Sequence, residues 1–228
     1  MKKKSKIILS STLAGVVILG AAGAIAGPVI YRDLIVGEAA LAPTLDAQPS
    51  ANGTAAADLN GQWVIGPGSY AGYRVDEVLN GTDVTVVGRT EQVTGDLSVS
   101  KDTLDSAQIT VEVASIATDA AGRDDYFRST TMNAEQYPTA TFKLSEPVDL
   151  SGLGTDDDKV AVAGELTLAG STKPVTLELD AAVDQDSGQA VGQIPVTFAD
   201  FGIEAPSLGF VKVQPQGTIE FSLNLDRS

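Results

Sequence analysis

From Gly61 onward, polar and apolar residues alternate with a period of two. Gln108-Ile109-Thr110-Val111-Glu112-Val113 and Thr139-Ala140-Thr141-Phe142-Lys143-Leu144 show it cleanly. So do Glu165-Leu166-Thr167-Leu168 and Val175-Thr176-Leu177-Glu178-Leu179-Asp180. Gln193-Ile194-Pro195-Val196-Thr197-Phe198 and Thr218-Ile219-Glu220-Phe221-Ser222-Leu223-Asn224-Leu225 close the series. Successive side chains of a strand point to opposite faces, so each run reads as a half-buried strand with one apolar face. Trp63 to Ile65, Ala71 to Val78, Val84 to Gly88 and Val93 to Val99 are earlier candidates. Asn80-Gly81, Ala169-Gly170-Ser171 and Asp186-Ser187-Gly188 supply hairpin turns between runs. Strands that follow one another through short turns predict an antiparallel up-and-down sheet, and eight or more with one apolar face each can close into a barrel without exposed edges.

One passage breaks the alternation. Between Ala120 and Tyr137, Arg123 to Ser129 can make two helical turns, with Tyr126 and Phe127 as apolar contacts. Pro138 ends any helix before it. Such a piece can cap one end of a barrel.

The first sixty residues follow a different pattern. Residues 1–6 are a basic tail, and residues 7–31 carry no charge. An apolar helix of that length can cross a hydrocarbon core of about 30 Å. The basic tail predicts a cytoplasmic N-terminus, a single-pass anchor in the cell membrane and an extracytoplasmic C-terminal domain. Ala24-Ile25-Ala26 offers the alternative of a signal peptide cleaved near Ala26, with the remainder secreted. Residues 32–60 are rich in Ala, Pro and Thr and read as a flexible linker, with a root-mean-square span of roughly 30 Å. Residues 61–228 form the globular domain.

Composition removes many chemistries. The chain has no histidine and no cysteine. Disulfides, thiolate catalysis, Ser-His-Asp triads and zinc sites built on His or Cys are thereby excluded. The formal net charge is −15, and it is unevenly spread. Lys2, Lys3, Lys4, Lys6 and Arg32 precede the first acid, so the remaining chain carries all thirty acids against ten bases, a net of −20. Such a body is repelled by nucleic acid and by anionic headgroups.

Ser115-Ile116, Arg123-Asp124, Arg128-Ser129, Tyr137-Pro138 and Thr141-Phe142 follow one another in an order that resembles the YceI-like family. Gly164-Glu165-Leu166-Thr167-Leu168-Ala169-Gly170-Ser171-Thr172-Lys173-Pro174-Val175 is similar to that family's strand-turn-strand segment, and Phe198-Ala199-Asp200-Phe201-Gly202-Ile203 to its late Asp-Phe-Gly element. The chain departs from the family where members often carry histidine: Tyr126 and Phe127 stand there instead, and the early segment Tyr73 to Leu79 is acidic.

The resemblance implies an all-β fold: an antiparallel, lipocalin-like up-and-down β-barrel with a short helical insertion, here preceded by one N-terminal transmembrane helix. It also implies an isoprenoid lipid partner, of the quinone or prenyl phosphate type, held in the barrel lumen. The candidate lumen residues are Tyr73, Val75, Val111, Val113, Phe142, Leu144, Leu166, Leu168, Leu177, Phe198 and Phe221. Arg123 and Arg128 are candidates for the polar end of the ligand at the mouth, because a guanidinium can donate two parallel bonds to one phosphate. The same two arginines with Asp124 can instead pin a loop. The lumen residues can equally form a filled core, which would make the domain an interaction or scaffold module.

No catalytic site, metal site or cofactor is expected. Asp156-Asp157-Asp158 lacks the glycine and later glutamate of an EF-hand loop. Asp76 and Glu77 are adjacent on a strand and face opposite sides, so they do not share a site for carboxylate hydrolysis. No sequence feature specifies an oligomeric state.

Overall fold

The computed structural model describes residues 39–45, 58–153, 159–184 and 186–228. The expected transmembrane helix over residues 7–31, the basic tail and the Asp156–Asp158 run lie outside these. Among the described residues no helix is long and apolar enough to cross a membrane.

Among the described residues, twelve antiparallel strands make one sheet. They are β1 (Gly61–Ile65), β2 (Tyr70–Leu79), β3 (Thr82–Thr90), β4 (Val93–Ser100), β5 (Thr103–Glu112) and β6 (Thr139–Leu144). β7 (Val148–Asp149), β8 (Lys159–Leu168), β9 (Ser171–Val183), β10 (Ser187–Thr197), β11 (Val211–Val213) and β12 (Gln216–Arg227) follow. The path β1-β4-β5-β6-β8-β9-β10-β12 returns to β1, where Trp63 to Ile65 pair with Arg227 to Leu225. β2 and β3 extend the walls begun by β1 and β4: β2 pairs with both β12 and β3. Eight strand positions therefore close the barrel, and β7 and β11 are short additions to β5 and β2.

The turns act as their residues dictate. Asn80 and Gly81 both take positive φ, 51° and 80°, as a two-residue hairpin requires, and Gly81 does so without a Cβ penalty. Ala169 and Gly170 repeat this between β8 and β9, at 46° and 78°. The break between β1 and β2 is tied down by Ser69. Its Oγ donates to the Gly66 carbonyl at 2.7 Å and accepts from the Asn224 amide at 2.9 Å.

The interruption folds as expected into helix, α1 (Ala121–Tyr126), continued by a wider π-helical turn over Phe127–Thr131. Asp124, buried, replaces a missing N-cap by gripping the chain before the helix. It accepts from the Thr118 amide at 2.9 Å and the Thr118 hydroxyl at 2.7 Å. This fixes α1 against the barrel end, where Tyr73 of β2 stacks on Phe127 with ring centres 4.9 Å apart.

One part of the expected flexible linker is not free. Arg74 Nη2 donates to the Ala40 carbonyl at 2.6 Å, and Arg89 Nη2 to the Leu41 carbonyl at 2.5 Å. Both arginines stand on the outer wall and share Glu220 of β12, at 2.6 Å for Arg74 Nε and 3.4 Å for Arg89 Nη2. Glu220 pairs across the sheet with Gly72, where a Cβ would stand 1.9 Å from the Gly88 carbonyl oxygen of β3. The outward carboxylate is only 1% exposed.

Candidate ligand cavity

The inward rows of the strands do not meet in the middle. They enclose a cavity of about 520 Å³, bordered almost entirely by hydrocarbon. That lies within the size range of small-molecule sites. Ile109, Val111, Ala140, Phe142, Ile219 and Phe221 point inward from β5, β6 and β12, yet each keeps part of its surface accessible. In a filled barrel these positions would be sealed.

The reason lies in how the aromatic rings are stored. The Phe221 ring lies over Gly192: a Cβ there would stand 2.4 Å from Phe221 Cζ. Phe142 lies over Gly164 in the same way, with 2.2 Å to its Cζ, Phe198 over Gly217, with 2.8 Å, and Tyr73 over Gly88, with 2.6 Å to its Cε1. Each large ring sits in the dent left by a glycine on a neighbouring strand. The rings line the wall instead of crossing the lumen.

The far end is closed. Trp63, 3% exposed, donates from its indole nitrogen to the Leu59 carbonyl at 2.9 Å and is covered by the Arg227 guanidinium, 4.9 Å from its ring centre. Val99 and Leu104 pack into the same cluster. The open end lies between α1 and the loop from Ile203 to Phe210. The exposed residues bordering the cavity are Gly122 on α1 and Glu204, Leu208 and Phe210 on that loop.

All eleven lumen candidates border the cavity: Tyr73 and Val75 on β2, Val111 near the end of β5 and Val113 just after it, Phe142 and Leu144 on β6, and Leu166, Leu168, Leu177, Phe198 and Phe221 on β8 to β12 and the turn after β10. Arg123 borders it beside the opening. Its guanidinium bonds Asp119 Oδ1 at 2.6 Å and lies 3.5 Å from Glu77 Oε1. Arg128 does not border it and instead bonds Asp125 Oδ1 at 2.6 Å on the outer side of the helix. The structure thus separates two arginines that their spacing had grouped, because they lie five residues apart on a winding that wraps them to different sides.

Burial raises two groups near the opening. Glu77, inward on β2, is held above the usual carboxylate range by desolvation, with the Arg123 charge and hydrogen bond opposing it. Tyr73 is pushed up to about 12, chiefly by burial. Asp76, the residue before Glu77, faces outward, where Thr85 donates to it at 2.7 Å. Among the described residues no three metal-ligating side chains cluster.

Sequence reasoning missed Ile109, Ile219, Leu223 and Leu225, which also border the cavity. Parity could have found them, since they share a face with Val111 and Phe221. Leu208 and Phe210 carried no such signal, because their loop has no period.

The described residues form a closed, hollow, eight-stranded antiparallel barrel with an apolar cavity and a helix at its mouth, an architecture of the up-and-down barrel class. The chain belongs to the YceI-like domain family, whose sequence profile matches residues 63–225. It is 34% identical over 133 residues to the UPF0312 protein of Vibrio campbellii, covering 54% of this chain and 67% of that one. It is 39% identical over 75 residues to protein YceI of Escherichia coli O157:H7, covering 32% of this chain; the match spans about a third, 36%, of that protein's length. Among solved structures, a polyisoprenoid binding domain from Saccharophagus degradans, implicated in plant cell wall breakdown, shares the fold. Its TM-score is 0.57 at 17% identity, with 73% of this chain and 98% of that chain covered. BcnA of Burkholderia cenocepacia gives a TM-score of 0.54 at 23% identity, with 67% and 95% covered.

Proposed function

We propose that this protein is a binding protein, not an enzyme, that holds the chain of an isoprenoid lipid in its barrel lumen. The observation that carries the reading is the hollow apolar cavity inside a YceI-like barrel. Each methylene moved from water into it gains about 0.8 kcal/mol. Twenty buried carbons would contribute about 16 kcal/mol, against an association cost of about 4–15 kcal/mol. No specific polar contact is therefore required. The ligand's polar end, of the quinone or prenyl phosphate type, lies at the opening beside Arg123. In this reading residues 7–31 hold the protein in the cell membrane, with the barrel on the extracytoplasmic side, where it carries, stores or shields the lipid.

The test is purification of the full chain from its own host under mild conditions, followed by solvent extraction and mass spectrometry. A stoichiometric prenyl lipid is the expected result. Protein that purifies empty and takes up no prenyl alcohol from vesicles would leave the interaction-module reading in its place.

A further inference from the structure

Leu208 and Phe210 are 44% and 59% exposed, two of the four large hydrophobic side chains that stand in solvent among the described residues. Both border the cavity at its open end. Their presentation is built. The Asn80 amide donates to the Phe210 carbonyl at 2.7 Å, the Leu208 amide to the Val211 carbonyl at 2.8 Å, and the Val213 amide to the Pro206 carbonyl at 3.0 Å. A turn hydrogen-bonded at three points holds two apolar side chains outward at the rim of the cavity.

We infer that the Leu208–Phe210 turn is a membrane-docking element that seats the mouth of the barrel on a bilayer. This rests on the proposed function, since a lipid that resides in a membrane must cross this rim to reach the lumen. A second observation favours a bilayer as occupant. The segment 39–45 is clipped to Arg74 and Arg89 beside Glu220. Glu220 lies four residues from the mouth end of β12 at Gln216 and seven from the far end at Arg227. Residues 32–38 join this clip to the uncharged run 7–31. Seven residues reach at most about 25 Å. A bilayer holding residues 7–31 is then within reach of the mouth half of the wall. The acidic body opposes anionic headgroups, so contact comes from apolar insertion into a zwitterionic surface.

The chain has no cysteine, so Ser207→Cys provides a single thiol for an environment-sensitive fluorophore beside the turn. Asp186→Cys, on the opposite end and 86% exposed at its side chain, is the control. The full chain is reconstituted in phosphatidylcholine nanodiscs containing nitroxide-labelled acyl chains. At position 207 the probe is expected to be quenched at least about threefold more than at 186, and Phe210→Ser with Leu208→Ser should remove the difference. Equal quenching at both positions would overturn docking. In parallel, loading of a dansyl-tagged prenyl alcohol from phosphatidylcholine vesicles should slow about tenfold in the double serine variant. An unchanged loading rate would also count against docking. Quenching at 207 in a protein that never loads the prenyl alcohol would keep the docking surface and remove the ligand reading.

Discussion

Replacing Ala140 by phenylalanine makes hollow and filled barrels respond with opposite sign. Ala140 points inward from β6 opposite Val111, borders the cavity and is not sealed. In a filled interior, the added ring would overpack its neighbours and cost about 1–3 kcal/mol. In a lumen of about 520 Å³ the ring has room. Burying it there is favourable by up to about 1.5–3 kcal/mol, so the empty protein should be as stable as the parent or more stable. The bound chain should suffer. The ring takes the place of roughly six chain carbons, which at about 0.8 kcal/mol each is about 5 kcal/mol, or more than a thousandfold in Kd if nothing else takes them up. Urea denaturation of delipidated protein gives the first quantity, and titration with a fluorescent prenyl alcohol gives the second. Lys143→Phe, on the exposed side of the same strand, is the control and should leave affinity unchanged. Loss of stability with unchanged affinity would refute the hollow-lumen argument.

Leu166, 4% exposed on the cavity wall, should not tolerate a charge: Leu166→Glu is expected to abolish lipid retention as read by mass spectrometry of extracts. Glu220→Ala removes the shared acceptor of Arg74 and Arg89 and should cost roughly 1.5–3 kcal/mol in urea melts. It should also speed amide exchange at residues 40 and 41 if the cluster holds that segment. Tyr73 should ionise near pH 12 in an absorbance titration at about 295 nm, and Tyr73→Phe should remove that step. Glu77 has its folded-state value raised above the ordinary one. The native state therefore holds the proton longer than the unfolded chain, and this group's contribution to stability falls as pH rises from the ordinary carboxylate range through the raised value. Glu77→Gln should flatten that part of the stability profile.

Local alternation made the strands legible. β6 is bounded by Thr139 and Leu144, just where the pattern runs, and the Asn80-Gly81 turn sits where its residues demand positive φ. Periodicity also named which residues share a face, and all eleven lumen candidates came to border one cavity. Edges were less legible. β8 begins at Lys159, six residues before the clean run at Glu165, because β9 supplies partners that the segment does not need in isolation.

What the chain by itself determined is therefore the set of strands, their inward rows and the absence of thiol and imidazole chemistry, since these depend on residue type and near neighbours. Three things were decided only by the tertiary structure. The barrel is hollow because four rings meet glycines on adjacent strands, a match of positions as distant as Gly88 and Tyr73 or Gly192 and Phe221. Arg123 faces the opening and Arg128 does not, because the winding of α1 and its π turn sets their directions. Glu220, an ordinary polar residue in an alternating strand, is buried on the outside of the barrel because strands β2 and β3 bring two arginines to it across a glycine. The first and third depend on register between strands, which the closed sheet fixes, and the second on how α1 and its π turn dock against the barrel end.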